Sequence, residues 1–275
     1  MAPIQPRLTF AALLGAALPL GVLALPQAVF AAEADPALKA AVAASTRSPN
    51  NVARDQYRHP VETLAFFGLK PTDTVVEIWP GGGWYTEILA PYLKAKGTLY
   101  AVDFWPNDLR GIQALQSRDP ALYGKIKLAA FPASNADPVV PAGTADAVLT
   151  FRNVHNWVEG YKRNNAPYAA EAFRQIYAML KPGGVLGIED HRLPESASAE
   201  RDGVSGYIKV STVRKLAEDA GFVFEGASEA NANPKDKADY PGGVRTLLPE
   251  LRGGEQYRAI GESDRMTLRF RKPKT

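Results

Sequence analysis

The chain has 275 residues, a formal net charge of +3 and 46% hydrophobic residues. That is enough for one α/β domain with a full core, and it lacks the dense Lys/Arg block that a nucleic-acid partner would need. The absence of cysteine excludes disulfides, thiolate metal sites, a lipid anchor through cysteine and a cysteine nucleophile. The N-terminus stands apart from the rest. Arg7 is the only charge before Glu33, and Leu8 to Ala32 is almost wholly apolar. A positive start, an apolar middle and small residues at Ala31-Ala32 describe a secretory signal peptide. Residues 1–31 are therefore assigned to the leader, with cleavage after Ala31 or Ala32. The domain, 32–275, is expected in the periplasm or outside the cell. An uncleaved anchor competes, since the run is long enough to span a membrane. Pro19 and Pro26 interrupt its helix, so no stable membrane insertion is expected after cleavage.

Beyond the leader, Glu33 to about Arg47 reads as a short amphipathic helix. Tyr57, Val61, Leu64, Ala65 and Phe67 recur at helical spacing between Val52 and Phe67, with a start or kink at Pro60. Strands and helices then alternate. Strands are predicted over 74–78, 98–102, 125–130, 145–151 and 185–189, with another from Phe222 and a last one over 266–271. Helices are predicted over 86–93, 106–116, 167–180 and 211–220. Asn231 to Glu262, polar and rich in Gly and Pro, reads as a long loop or lid with weak helical pieces. Alternating βα units imply a parallel sheet covered on both faces.

The richest stretch is Val75-Val76-Glu77-Ile78-Trp79-Pro80-Gly81-Gly82-Gly83-Trp84-Tyr85-Thr86. An apolar strand ends in an acid, then glycines, then a helix. Glycines there let a ligand approach main-chain N–H groups, and the helix presents its positive end. Twenty residues past Gly83, a second apolar strand ends in Asp103. Nucleotide-binding α/β folds hold ribose hydroxyls at that place.

Four segments in order resemble the class I S-adenosylmethionine-dependent methyltransferases. They are the Glu77–Gly83 loop, Asp103, Phe151-Arg152-Asn153-Val154-His155-Asn156-Trp157, and Leu180-Lys181-Pro182-Gly183-Gly184 before the fifth strand. The last two resemble the small-molecule branch that includes quinone-biosynthesis enzymes. With the leader, the run 79–86 resembles a group of exported predicted methyltransferases. The resemblance covers roughly residues 52–271. It implies a Rossmann-like, mostly parallel seven-stranded sheet with helices on both faces and an antiparallel last strand. It also implies S-adenosyl-L-methionine as cofactor and a small-molecule acceptor. Carried over, the cofactor-binding set is Glu77, Gly81, Gly83, Tyr85, Asp103, Asn135 and Asn153.

Two departures are visible. Trp79 stands where the family has its first glycine, close to the methionine part of the cofactor. At the end of strand three there is no clear acid for the adenine; Asn135 or Asp137 could serve. The three histidines, His59, His155 and His191, could converge on the carboxyl edge of the sheet. His155, as base or substrate orienter, and then His191 are the catalytic candidates. No metal is expected, because the histidines show no ligand spacing. Trp84, Tyr85 and Trp157 could form an aromatic pocket for a sulfonium. The leading reading is methyl transfer to a small molecule. The alternative is an exported binding or sensor protein that kept the fold and lost the reaction, with Trp79 filling the methionine pocket. A hydrolytic or lyase reaction built on His155 and His191 is a third.

Overall fold

The computed structural model describes Met1, residues 35–134 and residues 136–275. The leader with its cleavage site, and Asn135, lie outside the described residues. No helix among the described residues is long and apolar enough to cross a membrane.

The strands are β1 (Thr74–Ile78), β2 (Thr98–Asp103), β3 (Lys127–Ala130), β4 (Ala145–Phe151), β5 (Leu180–Leu193), β6 (Ile208–Lys209), β7 (Val223–Ser228) and β8 (Arg265–Arg271). The helices are α1 (Pro36–Val42), α2 (Pro49–Val52), α3 (Asp55–Arg58), α4 (Pro60–Phe67), α5 (Thr86–Leu93), α6 (Arg110–Arg118), α7 (Pro120–Tyr123), α8 (Val154–Glu159), α9 (Ala169–Met179) and α10 (Val210–Asp219). The main sheet runs β3-β2-β1-β4-β5-β8-β7, and the two-residue β6 pairs with β5 off this path. Strands β1 to β5 are parallel, and β8 is antiparallel to both β5 and β7. This is the expected Rossmann-like sheet with its last strand reversed.

Strand alternation divides the core. Val76, Ile78, Val102, Val148, Leu186 and Ile188 face one layer, built with Phe173 and Ile176 of α9 and Val213 of α10. Val75, Leu99, Ala101, Ala147 and Leu149 face the other, with Leu38, Phe67, Ile88 and Ile112 of the opposite helices. Both faces are buried, which is why these strands read as near-continuous apolar runs. The order reverses between β1 and β4, so a crevice opens at their carboxyl ends, where such sheets bind ligands.

Some elements differ from expectation. The helix expected over 33–47 is only Pro36–Val42. The stretch 52–67 does restart at Pro60, as expected, the first residue of α4, and the break before it is His59, left-handed at φ 38°. The Lys181–Gly184 turn is absorbed into β5, whose first residue pairs with Ala145. Helix α8 and strand β6 were not foreseen: six and two residues are too short for a periodic signal.

Candidate functional site

The glycine loop is held from below and open above. Glu77, 2% exposed, accepts from Thr86 Oγ1 at 2.6 Å and so ties β1 to the first turn of α5. Burial pushes its carboxyl up to about 7, and the Thr86 hydrogen bonds oppose the shift only in part. Gly83 is left-handed at φ 86°, and a Cβ there would lie 2.5 Å from Leu115 of α6. Gly111 at the start of α6 lets that helix approach, since its Cβ would fall 2.2 Å from the Gly81 carbonyl. Gly81 and Gly82 have nothing within 4 Å on their own Cβ side. Their backbone is therefore accessible to a ligand.

Asp103 closes β2. It is 7% exposed; Oδ1 accepts from the Phe104 N–H at 2.8 Å, and Oδ2 has no partner among the described residues. Burial pushes its carboxyl up to about 7, against the lowering effect of the Phe104 N–H. A buried carboxylate with an unused oxygen at a strand tip is suited to accept from a hydroxyl.

Trp79 has a left-handed backbone, at φ 50°. That conformation costs a bulky residue roughly 1–3 kcal/mol. The indole does not lie over Gly81–Gly83. It reaches across the strand ends, where its Nε1 donates to the Phe131 carbonyl at 3.0 Å. Its ring sits 5.3 Å from Phe104, 6.0 Å from Trp157 and 6.2 Å from Tyr161. It thus forms an aromatic wall at the end of β3, the side on which the resemblance puts the adenine. Over this wall, Lys162 pairs with Asp108 and stands 5.4 Å from the Phe104 ring centre.

A second constellation lies at the ends of β4 and β5. Asn153, the residue before α8, donates from Nδ2 to the Ile78 carbonyl at 3.0 Å, and so locks the end of β4 to β1. His155 Nδ1 lies 2.7 Å from Asp190 Oδ1, and its backbone N–H donates to Asp190 Oδ2 at 3.1 Å. Asp190 is fully buried and also accepts from the His191 N–H at 2.8 Å. His191 Nδ1 is 2.5 Å from Ser263 Oγ, and the two imidazoles are 5.4 Å apart. Burial holds the His191 imidazole well below the usual histidine range, helped by His155, Arg152, Arg265 and Arg58. One ligand atom from each of His155, Asp190 and His191 lies within 4.8 Å of the others. The charge around them opposes a cation, since three arginines bear on the cluster.

Beside the histidines lies a buried ion cluster. Glu262 accepts from Arg54 Nε at 2.6 Å and Arg265 NH1 at 2.9 Å, with Arg58 Nε at 3.6 Å. Glu189 meets Arg265 Nε at 3.1 Å and accepts from the Tyr85 hydroxyl at 2.9 Å. Tyr85 also stacks on Phe151 at 3.5 Å, so it belongs to this cluster rather than to the open face of the glycine loop. Burial would push Glu262 up, but Arg265, Arg54 and Arg58 overcome this and hold it at about 2. Burial brings Arg58 down to about 9.

The fold thus brings His155 and His191 together. It puts Glu77, Gly81, Gly83 and Asp103 in one row along the strand ends. His59 is apart, lining a neighbouring cavity with Tyr57 and Asn231. Asp190, Arg58, Arg152, Arg265, Glu189 and Glu262 were missed as site residues. Asp190 adjoins His191 in the chain, which is a usable hint. The arginines and glutamates are scattered, and only the fold makes them neighbours.

Residues 76–188 match the family described as Methyltransferase domain. No curated protein matches the chain. Among solved structures, it is similar to an S-adenosylmethionine-dependent methyltransferase from Aquifex aeolicus. The identity is 16%, the TM-score 0.53, and the match covers 82% of this chain and 94% of that one. It is similar to a Galdieria sulphuraria protein assigned as a sarcosine dimethylglycine methyltransferase, at 14% identity and TM-score 0.54, over 82% and 88% of the two chains. The [4+2]-cyclase SpnF is similar too, at 14% identity and TM-score 0.52, over 86% and 91%. The fold is that of class I methyltransferases, and residues 76–188 carry a methyltransferase domain. Solved structures that share this fold include S-adenosylmethionine-dependent methyltransferases, whose cofactor is S-adenosylmethionine.

The residues present fit this cofactor on its ribose side. Asp103 keeps an unused oxygen, the Gly81–Gly82 backbone is accessible, and Trp79 leaves the glycines uncovered. Trp79 and Phe104 supply a flat apolar wall for a base.

Proposed function

We propose that this protein transfers a methyl group from S-adenosylmethionine to a small-molecule acceptor outside the cytoplasm. The observation that carries this reading is Asp103: a buried carboxylate with a free oxygen, beside an accessible glycine loop. Asp103 would hold the ribose hydroxyls, Gly81 and Gly82 would face the donor with their backbone, and Trp79 and Phe104 would flank its base. When bound, the donor supplies an electrophilic methyl group on a sulfonium, so the protein contributes mainly position and proton control.

Proton control falls to His155. Asp190 takes the Nδ1 proton of the ring and the backbone N–H of the same residue. This fixes the imidazole and leaves Nε2 as the acceptor. His155 lines a cavity of about 260 Å³ with Asn156, Ser205, Gly206 and Arg245, large enough for a compact acceptor. His191, kept neutral, would orient the acceptor through the ring nitrogen not engaged by Ser263. His155→Gln is expected to lower kcat about 10²–10⁴-fold with little change in cofactor affinity.

A second reading is a binding protein that kept this fold without the reaction; the tryptophan in the first glycine position favours it. Calorimetry with S-adenosylmethionine and S-adenosylhomocysteine separates the two. Methyl transfer requires micromolar binding that Asp103→Ala abolishes. A folded protein that binds neither at millimolar ligand leaves only the second reading. Export is tested by the N-terminal residue of the mature protein: Ala32 or Glu33 supports it, and an intact Met1 on protein recovered from the cytoplasm refutes it.

A further inference from the structure

The ion cluster does not balance. Four arginines, Arg54, Arg58, Arg152 and Arg265, gather around two carboxylates, Glu189 and Glu262. Three of the four reach a carboxylate. Arg152 pairs with no carboxylate among the described residues, and its Nε is buried without a hydrogen-bond partner. NH2 of Arg58, a residue only 1% exposed, is also buried and unpartnered. A buried guanidinium N–H without a partner is costly unless something outside the chain completes it, and Arg152 is otherwise only half-buried, so the outer end of its side chain is within reach of a ligand.

The chain holds Arg152 there firmly. It follows β4 directly, at a left-handed φ of 64°, and its N–H donates to the Glu189 carbonyl at 2.7 Å. The side chain lines a small cavity of about 50 Å³ with His191, Arg245, Glu262 and Ser263. Arg245 and Val244 line this cavity and also the larger one beside His155. Arg245 is itself weakly paired, 3.7 Å from Glu250, with its side chain more than half exposed. The two cavities therefore flank one short segment that presents a second guanidinium. Glu262 also faces the small cavity, but its charge is already shared among Arg54, Arg58 and Arg265.

We propose that Arg152 and Arg245 bind a carboxylate on the methyl acceptor, whose body lies in the His155 cavity. A carboxylate matches the planar fork of a guanidinium with two parallel hydrogen bonds, and the small cavity has room for little more than such a group. This rests on the methyl-transfer reading of the same site. The anion has two possible sources, the acceptor or the cofactor's own methionine carboxylate, and the assignment here is to the acceptor.

The test titrates the purified protein with benzoate, benzamide and inorganic phosphate, and separately with S-adenosylhomocysteine, by calorimetry and thermal shift. Wild type is expected to bind benzoate in preference to neutral benzamide and to phosphate. Arg152→Gln should weaken benzoate at least about tenfold while S-adenosylhomocysteine affinity stays within about twofold, as expected for loss of a charged hydrogen bond. Arg245→Gln, a change at an exposed side chain, should weaken benzoate about two- to fivefold and keeps the test valid if Arg152→Gln fails to fold. Equal binding of benzoate and benzamide overturns the proposal, as does full benzoate affinity in both variants or tighter phosphate binding. A loss in Arg152→Gln that falls on S-adenosylhomocysteine instead assigns the site to the cofactor and also overturns it. Cofactor binding without benzoate binding sinks the anion site and leaves the methyltransferase reading standing. Benzoate binding without cofactor binding sinks that reading, and with it the acceptor's role.

Discussion

The two halves of the crevice are built on opposite electrostatic plans. At the ends of β1 to β3 stand Glu77 and Asp103, two buried acids both pushed up to about 7, against an apolar wall of Trp79 and Phe104. At the ends of β4 and β5 stand arginines and a His191 imidazole held well below its usual range by burial, with Glu262 held down at about 2. Burial acts on both halves. Only in the second are counter-charges close enough to overcome it. The first half is therefore prepared for hydroxyl groups, and the second for negative charge.

The largest effect should come from removing a counter-charge. Glu262→Gln leaves three arginines around a neutral amide and is expected to cost about 3–5 kcal/mol in a urea melt. The same change at Glu77 replaces a carboxyl that is already half protonated near neutral pH, and should cost less than about 1 kcal/mol. Equal costs would erase the contrast.

Trp79→Gly tests the wall. It relieves the left-handed strain but removes an indole packed on Phe104, Trp157 and Tyr161. A net loss of about 2 kcal/mol is expected, since cavity terms exceed the strain. A gain in stability would mean that the indole contributes little packing.

The pH dependence of stability should differ in sign between the halves. The folded pKa of Asp103 lies near 7, above its ordinary 3.8. The folded state therefore holds a proton that the unfolded state has lost, and stability falls as pH rises from about 4 to about 7. Asp103→Asn should remove the Asp103 share of this slope, leaving that of Glu77, and add about 1–2 kcal/mol at pH 8, with little change near pH 4. His191 goes the other way. Its folded pKa lies below the ordinary 6.5, so the unfolded state takes up the proton first, and stability falls as pH drops below about 6.5. His191→Gln should flatten that limb. Urea midpoints across pH for the three proteins check both signs.

The smallest effect concerns the cover. Lys162 and Asp108 pair at the surface above Trp79, and Lys162→Ala should change stability by less than about 0.5 kcal/mol. Cofactor association measured by stopped flow should still quicken a few-fold if this pair restricts entry. An unchanged rate would remove it from the entry path.

The half with Glu77 and Asp103 could be read from the chain because its parts are local. Glu77, the glycines and Thr86 lie within ten residues, and Asp103 follows one βα unit later. Strand alternation and glycine punctuation are short-range signals, so β1, α5 and β4 came out with their observed bounds. The sequence also left open whether Trp79 fills the methionine pocket. Which way the indole turns depends on Phe131, fifty-two residues away, whose carbonyl accepts its N–H.

The half with the histidines and arginines was out of reach for the same reason. Arg58, Arg152, Glu189, Glu262 and Arg265 are separated by more than 200 residues from first to last, and no spacing rule links them. His155 and His191 could be named from the chain as candidates, but not the Asp190 contacts that fix one ring and the Ser263 contact that holds the other. The sequence determined the class of fold, since that rests on local periodicity and on glycines that only tight turns require, and it named the candidate histidines. Tertiary structure alone decided which charges meet and which arginine is left unpaired, because electrostatic balance in a buried crevice depends on distance in space.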